Sequence, residues 1–209
     1  MLSIESLLYI GSLDCNSNSY RRFEALSNLS TGIRGINTEP YIMAKYLSGI
    51  QHYHNIGVGI YLLNRKIRAQ VKKRFFDIVW VDNKNYLSIK TMEYIKLVSP
   101  NTRIVNMLTD DPFGVYKNSW KLLRQTAALY DYFFVQREEN VDELKALGAR
   151  HVGICYRSYA PDFNRPLQLS KADAQYYGAG VGFIGSYEAD RAASIAFLIK
   201  NGITVQVTG

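Results

Sequence analysis

Along this chain, short apolar runs alternate with longer stretches in which apolar residues recur at helical spacing. Residues 6–11, 76–81, 103–108, 132–135 and 151–156 read as strands. Between them, helical patterns fall on about 19–29, 56–71, 92–97, the neighbourhood of Trp120, Leu123 and Ala127, and 140–147. Near-continuous apolar strands of this length are buried on both faces, and parallel strands need a crossover helix between them, so the pattern predicts a parallel sheet layered with helices. The fold class expected is α/β, a doubly wound, mainly parallel, Rossmann-like sheet. Asn140 with Glu143 three positions on has the form of a capping box, and Gly148 ends that helix. Residues 31–39 carry no clear period, and 41–47 fit strand or helix equally.

The rhythm breaks at residues 158–177, which hold Pro161 and Pro166 and at most a short helix near 171–176. It restarts with a strand at 181–184, a helix at about 190–200, a glycine stop at Gly202 and a strand at 204–207. The expected organisation is a first domain over 1–160, a connector over 161–178, and an opening β-α-β of a second Rossmann-like domain over 179–209. Such a unit cannot cover its own sheet, so it is expected to need partner strands, from further sequence or from a second copy in a dimer.

Composition adds that 47% hydrophobic residues suffice for a sizeable core. Cys15 and Cys155 lack CxxC or His spacing, which argues against a structural zinc site or a disulfide framework and fits a reducing, cytoplasmic setting. No apolar run is long enough to span a bilayer. The net charge of +7 is local: Arg65, Lys66, Arg68, Lys72, Lys73 and Arg74 fall within ten positions, and without them it drops to +1. Their helix has an apolar side predicted at Ile56, Ile60, Leu63, Ile67 and Val71. A solvated face, or peripheral contact with anionic lipid or an acidic acceptor, fits this run; nucleic acid is not expected, since no aromatic-basic recognition motif accompanies it.

Gly180, Gly182 and Gly185 satisfy G-x-G-x-x-G, yet the residues between them form the predicted strand itself. In a dinucleotide fingerprint the glycines follow the strand, so that reading is refused.

The segment YGAGVGFIGSYEADR (177–191) resembles the opening of the carboxyl-terminal domain in the spore-maturation-type branch of GT-B glycosyltransferases. LLYIGS (7–12) followed by NSYRRFEALSNL (18–29), Thr109-Asp110-Asp111-Pro112, and YDYFFVQREENVDELKALGA (130–149) are similar to that family in order and spacing, whereas 30–46 departs from its pattern. The resemblance implies transfer of a sugar from a nucleotide-sugar donor to a carbohydrate, glycolipid or protein acceptor in a cleft between two Rossmann-like domains, with no further cofactor and no metal.

On that footing Asp110 and Asp111, at a strand's carboxyl end, are candidates for the base that takes the acceptor proton; either can instead cap a helix or shape the turn at Pro112. Asn18, Ser19, Tyr20 and Asn83 are candidates for acceptor binding, with Ser19 also fitting a helix cap. Gly185, Ser186 and Arg191 are candidates for the donor diphosphate: glycine permits close approach, the helix start carries partial positive charge, and arginine binds phosphate oxygens in pairs. Arg191 fits equally a pair with Glu188 or Asp190. His52 and His54 are alternative bases. The rival reading is a non-catalytic doubly wound module, sugar-binding or regulatory, that pairs with another chain.

Overall fold

A computed structural model describes residues 4–42, 51, 53–114 and 117–208. The chain forms two compact units, Met1–Ser158 and Tyr159–Gly209.

The first unit is an α/β fold built on a six-stranded parallel sheet flanked by helices. Its strands are β1 (Leu7–Gly11), β2 (Ile33–Asn37), β3 (Ile78–Asp82), β4 (Arg103–Leu108), β5 (Tyr132–Val135) and β6 (Val152–Ile154), in the order β2-β1-β3-β4-β5-β6. Every pairing is parallel, with Leu8 beside Val79, Val79 beside Ile104, and Met107 beside Phe134. Alternate residues of the central strands, Leu8, Ile10, Val79, Val81, Ile104, Leu108, Phe133 and Val135, join the main core. The helices contribute Leu63, Ile67, Met92, Ile95, Leu123 and Leu144 to it. On the opposite face Tyr9 meets Phe23 edge-on at 5.4 Å and Trp80 stacks on Phe134 at 6.2 Å.

Local chemistry sets the helix starts. In α1 (Asn18–Ser27) the Ser17 hydroxyl accepts the Tyr20 N–H. After α2 (Glu39–Ile42) and α3 (Val58–Lys73) comes α4 (Ile89–Val98), where Ser88 accepts from Thr91. Each is a side-chain cap for an otherwise orphan donor. The cap predicted for Ser19 therefore belongs to Ser17.

Three further expectations are corrected. Asn140 is no N-cap: it lies inside α6 (Glu139–Ala146), buried, its amide donating to Asp111 and Glu143. Ile56 is not on the apolar side of α3 but 62% exposed ahead of it, whereas Ile60, Leu63, Ile67 and Val71 are buried. The helix around Trp120 is broken into a 3-10 turn (Lys117–Trp120), α5 (Lys121–Thr126) and a second 3-10 turn (Ala127–Leu129). Strand β2 occupies the stretch that carried no clear period; its partner contacts, not its own pattern, make it a strand. Of residues 41–47, Tyr41 and Ile42 are helical and the rest lie outside the described residues.

The second unit contains α7 (Lys171–Tyr177), then β7 (Val181–Ile184), α8 (Ala189–Lys200) and β8 (Val205–Thr208), with β7 and β8 paired in parallel. Gly180 precedes β7, Gly182 is paired within it and Gly185 follows it, so the glycine triplet spans a strand. Phe197, Val207 and Ile184 are all exposed, and no described residue from Tyr159 onward is buried.

Candidate functional site

Strand order reverses at β1, which pairs with β2 on one side and β3 on the other. In open α/β sheets the ligand crevice lies at such a switch point, beyond the carboxyl ends of the strands. Here the β1/β3 crevice is occupied by the protein itself. Arg22 reaches over from α1 and binds Asp82, the last residue of β3, through two parallel bonds, Nε to Oδ1 at 2.6 Å and Nη2 to Oδ2 at 2.8 Å. Asp82 is only 6% exposed. Burial works against the Arg22 charge, but the hydrogen bonds and charge of Asp82 outweigh it and hold the guanidinium's pKa above its ordinary value. Burial, helped by the Asp82 charge, pushes the neighbouring Tyr9 hydroxyl far up, and that hydroxyl donates to the Ser19 carbonyl at 2.6 Å. A Cβ on Gly11 would stand 2.7 Å from Ser19 Oγ and 2.8 Å from Asp82 Cβ, so glycine is required where β1 ends against this group.

One strand along, at the ends of β3 and β4, the arrangement is open. Asn83 adopts a left-handed conformation, φ 56°, which Asn tolerates better than other non-glycine residues. Its main chain is anchored by its own N–H to the Met107 carbonyl at 2.7 Å and by its carbonyl accepting the Asn106 side-chain amide at 3.2 Å. Asn83 Oδ1 accepts the N–H groups of Thr109 and Asp110, both at 3.3 Å, which leaves Nδ2 to donate to Asp110 Oδ2 at 2.8 Å. Asp110 is exposed, and its Oδ1 has no hydrogen-bond partner among the described residues. Lys84 lies beside this pair, its ammonium 5.7 Å from the Trp120 ring; burial lowers its pKa to about 8 against the opposing pull of Asp110.

Asp111 does different work. Its Oδ1 accepts the Phe113 N–H at 2.9 Å and the Asn140 amide at 3.1 Å, and a Cβ on Gly114 would meet its Oδ2 at 2.7 Å. The side chain shapes the turn through Pro112 and ties it to α6. Each of the two aspartates proposed as bases keeps one oxygen without a hydrogen-bond partner among the described residues, but Asp110 is exposed whereas Asp111 is half-buried and tied into the turn.

The other candidates divide in the same way. Asn83 is brought against Asp110 and is spent on holding it. Ser19 is buried with Tyr9, whereas Asn18 is exposed and Tyr20 is half-buried, stacked on Phe23 at 6.1 Å. Asn18 and Tyr20 thus stay near the carboxyl end of β1, and Ser19 serves packing. His54 is exposed against Tyr53, and His52 lies outside the described residues. In the second unit Gly185 has φ 155°, and Arg191 Nη1 donates to the Ser186 carbonyl at 3.3 Å while Nη2 sits 3.2 Å from Glu188. These three candidates do converge on one turn, with Glu188 occupying part of the guanidinium. Sequence reasoning missed Arg22 and Lys84. Arg22 sits one helical turn after the Asn18–Tyr20 group, a spacing that would have placed it on the same side as the loop.

No group of three His, Cys, Asp or Glu side chains converges as metal ligands do among the described residues. No described helix is long and apolar enough to cross a membrane. No protein-family model matches the chain, and no curated protein matches it either.

Proposed function

We propose that this chain is a glycosyltransferase of the GT-B type, moving a sugar from a nucleotide-sugar donor to an acceptor hydroxyl, with Asp110 as the base. The observation that carries the reading is the state of Asp110: an exposed carboxylate at the carboxyl edge of a doubly wound sheet, one oxygen fixed by Asn83 and the other unpaired among the described residues. A carboxylate so oriented accepts the proton of an acceptor hydroxyl. As that oxygen bonds to the anomeric carbon, the bond from carbon to phosphate oxygen breaks, and its electron pair leaves with the nucleoside diphosphate.

The charge arriving on the diphosphate calls for donors. Gly185, Ser186 and Arg191 supply a close backbone, a helix start and a guanidinium. Arg191 would exchange the exposed Glu188 carboxylate, a surface pair of small worth, for the diphosphate. Asn18 and Tyr20 are offered to the acceptor.

The test is release of nucleoside diphosphate from a panel of nucleotide-sugars in the presence of acceptor glycans. Asp110→Asn should lower the rate by about 10²- to 10⁴-fold, the range for loss of a positioned base. Asp111→Asn should act mainly through stability. An unchanged rate in Asp110→Asn removes the assignment, and sugar binding without any turnover would favour the non-catalytic module.

A further inference from the structure

Helix α3 presents two unlike faces. Inward, Leu63 and Ile67 are fully buried, and the buried Asn64 amide donates to the carbonyls of Ile60 and Tyr86, both at 2.8 Å. Outward, the first two turns expose Val58 (62%), Tyr61 (60%) and Leu62 (42%). The remaining turns expose Arg65, Lys66, Lys72 and Lys73, with Arg68 half-exposed. Ile56 just before the helix and Phe75 just after it are exposed as well.

What makes this more than a solvated face is the missing counter-charge. From Pro40 to Phe76 the chain contains no Asp or Glu. Among the described residues, none of the six cations between Arg65 and Arg74 pairs with a carboxylate, although Lys66 lies 5.6 Å over the Tyr41 ring and Arg74 lies 5.7 Å over the Phe76 ring. A surface helix that only faces water usually interleaves both signs and buries its aliphatic side chains. This one keeps a single sign and leaves Val58 and Leu62 outside. Cations fit any polyanion. Ile56, Val58 and Leu62 gain nothing from a phosphodiester backbone, but they do gain from the boundary between lipid headgroups and acyl chains.

We propose that the outer face of α3 lies on an anionic lipid surface, with Arg65, Lys66, Lys72 and Lys73 on headgroup phosphates and Ile56, Val58, Tyr61 and Leu62 at the acyl boundary. The helix, about 24 Å long at 1.5 Å per residue, then rests flat on the surface. This inference does not rest on the glycosyltransferase reading.

The experiment is sedimentation of the full chain with vesicles of phosphatidylcholine alone or of equimolar phosphatidylcholine and phosphatidylglycerol, with circular dichroism to check each variant's fold. The chain should sediment only with the anionic vesicles, and less as salt rises. K72Q/K73Q should weaken partitioning by about 30-fold, from the usual contribution of a cation near such a surface. V58S/L62S, which leaves every charge in place, should weaken it by about tenfold or more through lost apolar burial. Three results would each overturn the proposal: no difference between the two vesicle types, V58S/L62S binding like wild type, or duplex RNA at equal phosphate binding more tightly than the anionic vesicles.

Discussion

The two edges of the six-stranded sheet differ in how their most dependent carboxylates are held. At the amino edge, Asp77 Oδ2 accepts the main-chain N–H groups of Glu5 at 3.1 Å and Ser6 at 2.8 Å. Asp131 there accepts the Ile104 N–H at 2.7 Å and is paired with Lys96 and, at 3.4 Å, Arg103. These carboxylates are tied to the ends of strands by two or more donors each, main-chain N–H groups among them. At the carboxyl edge Asp111 is likewise held by two donors, but Asp82 depends on a single arginine, and Asp110 on a single amide. A carboxylate held by several donors can lose one and keep the others, whereas one held by a single partner is stranded when that partner goes.

That contrast predicts unequal costs. Arg22→Met should destabilise the protein most, by about 3 kcal/mol in urea unfolding, because it leaves Asp82 buried and unpaired. The lower end of the range for broken buried pairs applies, since the Arg22 side chain keeps 24% exposure. Adding Asp82→Asn should restore much of the loss, as the amide carries no charge to strand.

Lys96→Met at the amino edge should cost less, about 1.5 kcal/mol, because the Ile104 N–H and Arg103 stay with Asp131. Equal losses in Lys96→Met and Arg22→Met would erase the distinction between the edges.

The same contrast explains what could be read in the sequence. The strands at 103–108, 132–135 and 181–184 were legible because buried parallel strands are apolar runs, and that signal is local. Strand β2 was not, since Arg34, Gly35 and Asn37 give it no period and its identity comes from pairing with β1. The carboxyl-edge position of Asp110 and Asp111 followed from the strand–loop pattern alone. Which partner holds each aspartate did not, because Asn140 is twenty-nine residues from Asp111 and Asn83 is twenty-seven from Asp110. Arg22 was hidden for the same reason: Asp82 lies sixty residues away. Long-range polar pairs leave no periodic trace.

The smallest effect separates the edges by pH. Desolvation raises the Asp131 carboxyl, but Lys96, the Ile104 N–H and Arg103 overcome it and hold its pKa below the ordinary 3.8. The stability it contributes is present above pH 3.8 and is lost as the pH falls through the folded value, so the amino edge weakens in acid. Lys84 acts in the reverse sense: its folded pKa of about 8 lies below the ordinary 10.5, so between those values the unfolded chain binds the extra proton and stability rises with pH. Tyr9, Tyr86 and Tyr130, all raised by burial above the ordinary 10.0, then reverse the trend, because above that pH the unfolded state ionises first. Wild-type protein should therefore gain stability from pH 8 toward pH 10 and lose it beyond, with a modest amplitude because half-buried Lys84 is partly screened by solvent. Lys84→Met should flatten the rise and leave both the acid limb and the tyrosine fall in place; urea midpoints across that range for the two proteins measure it, and a rise that survives the substitution would assign the proton to another group.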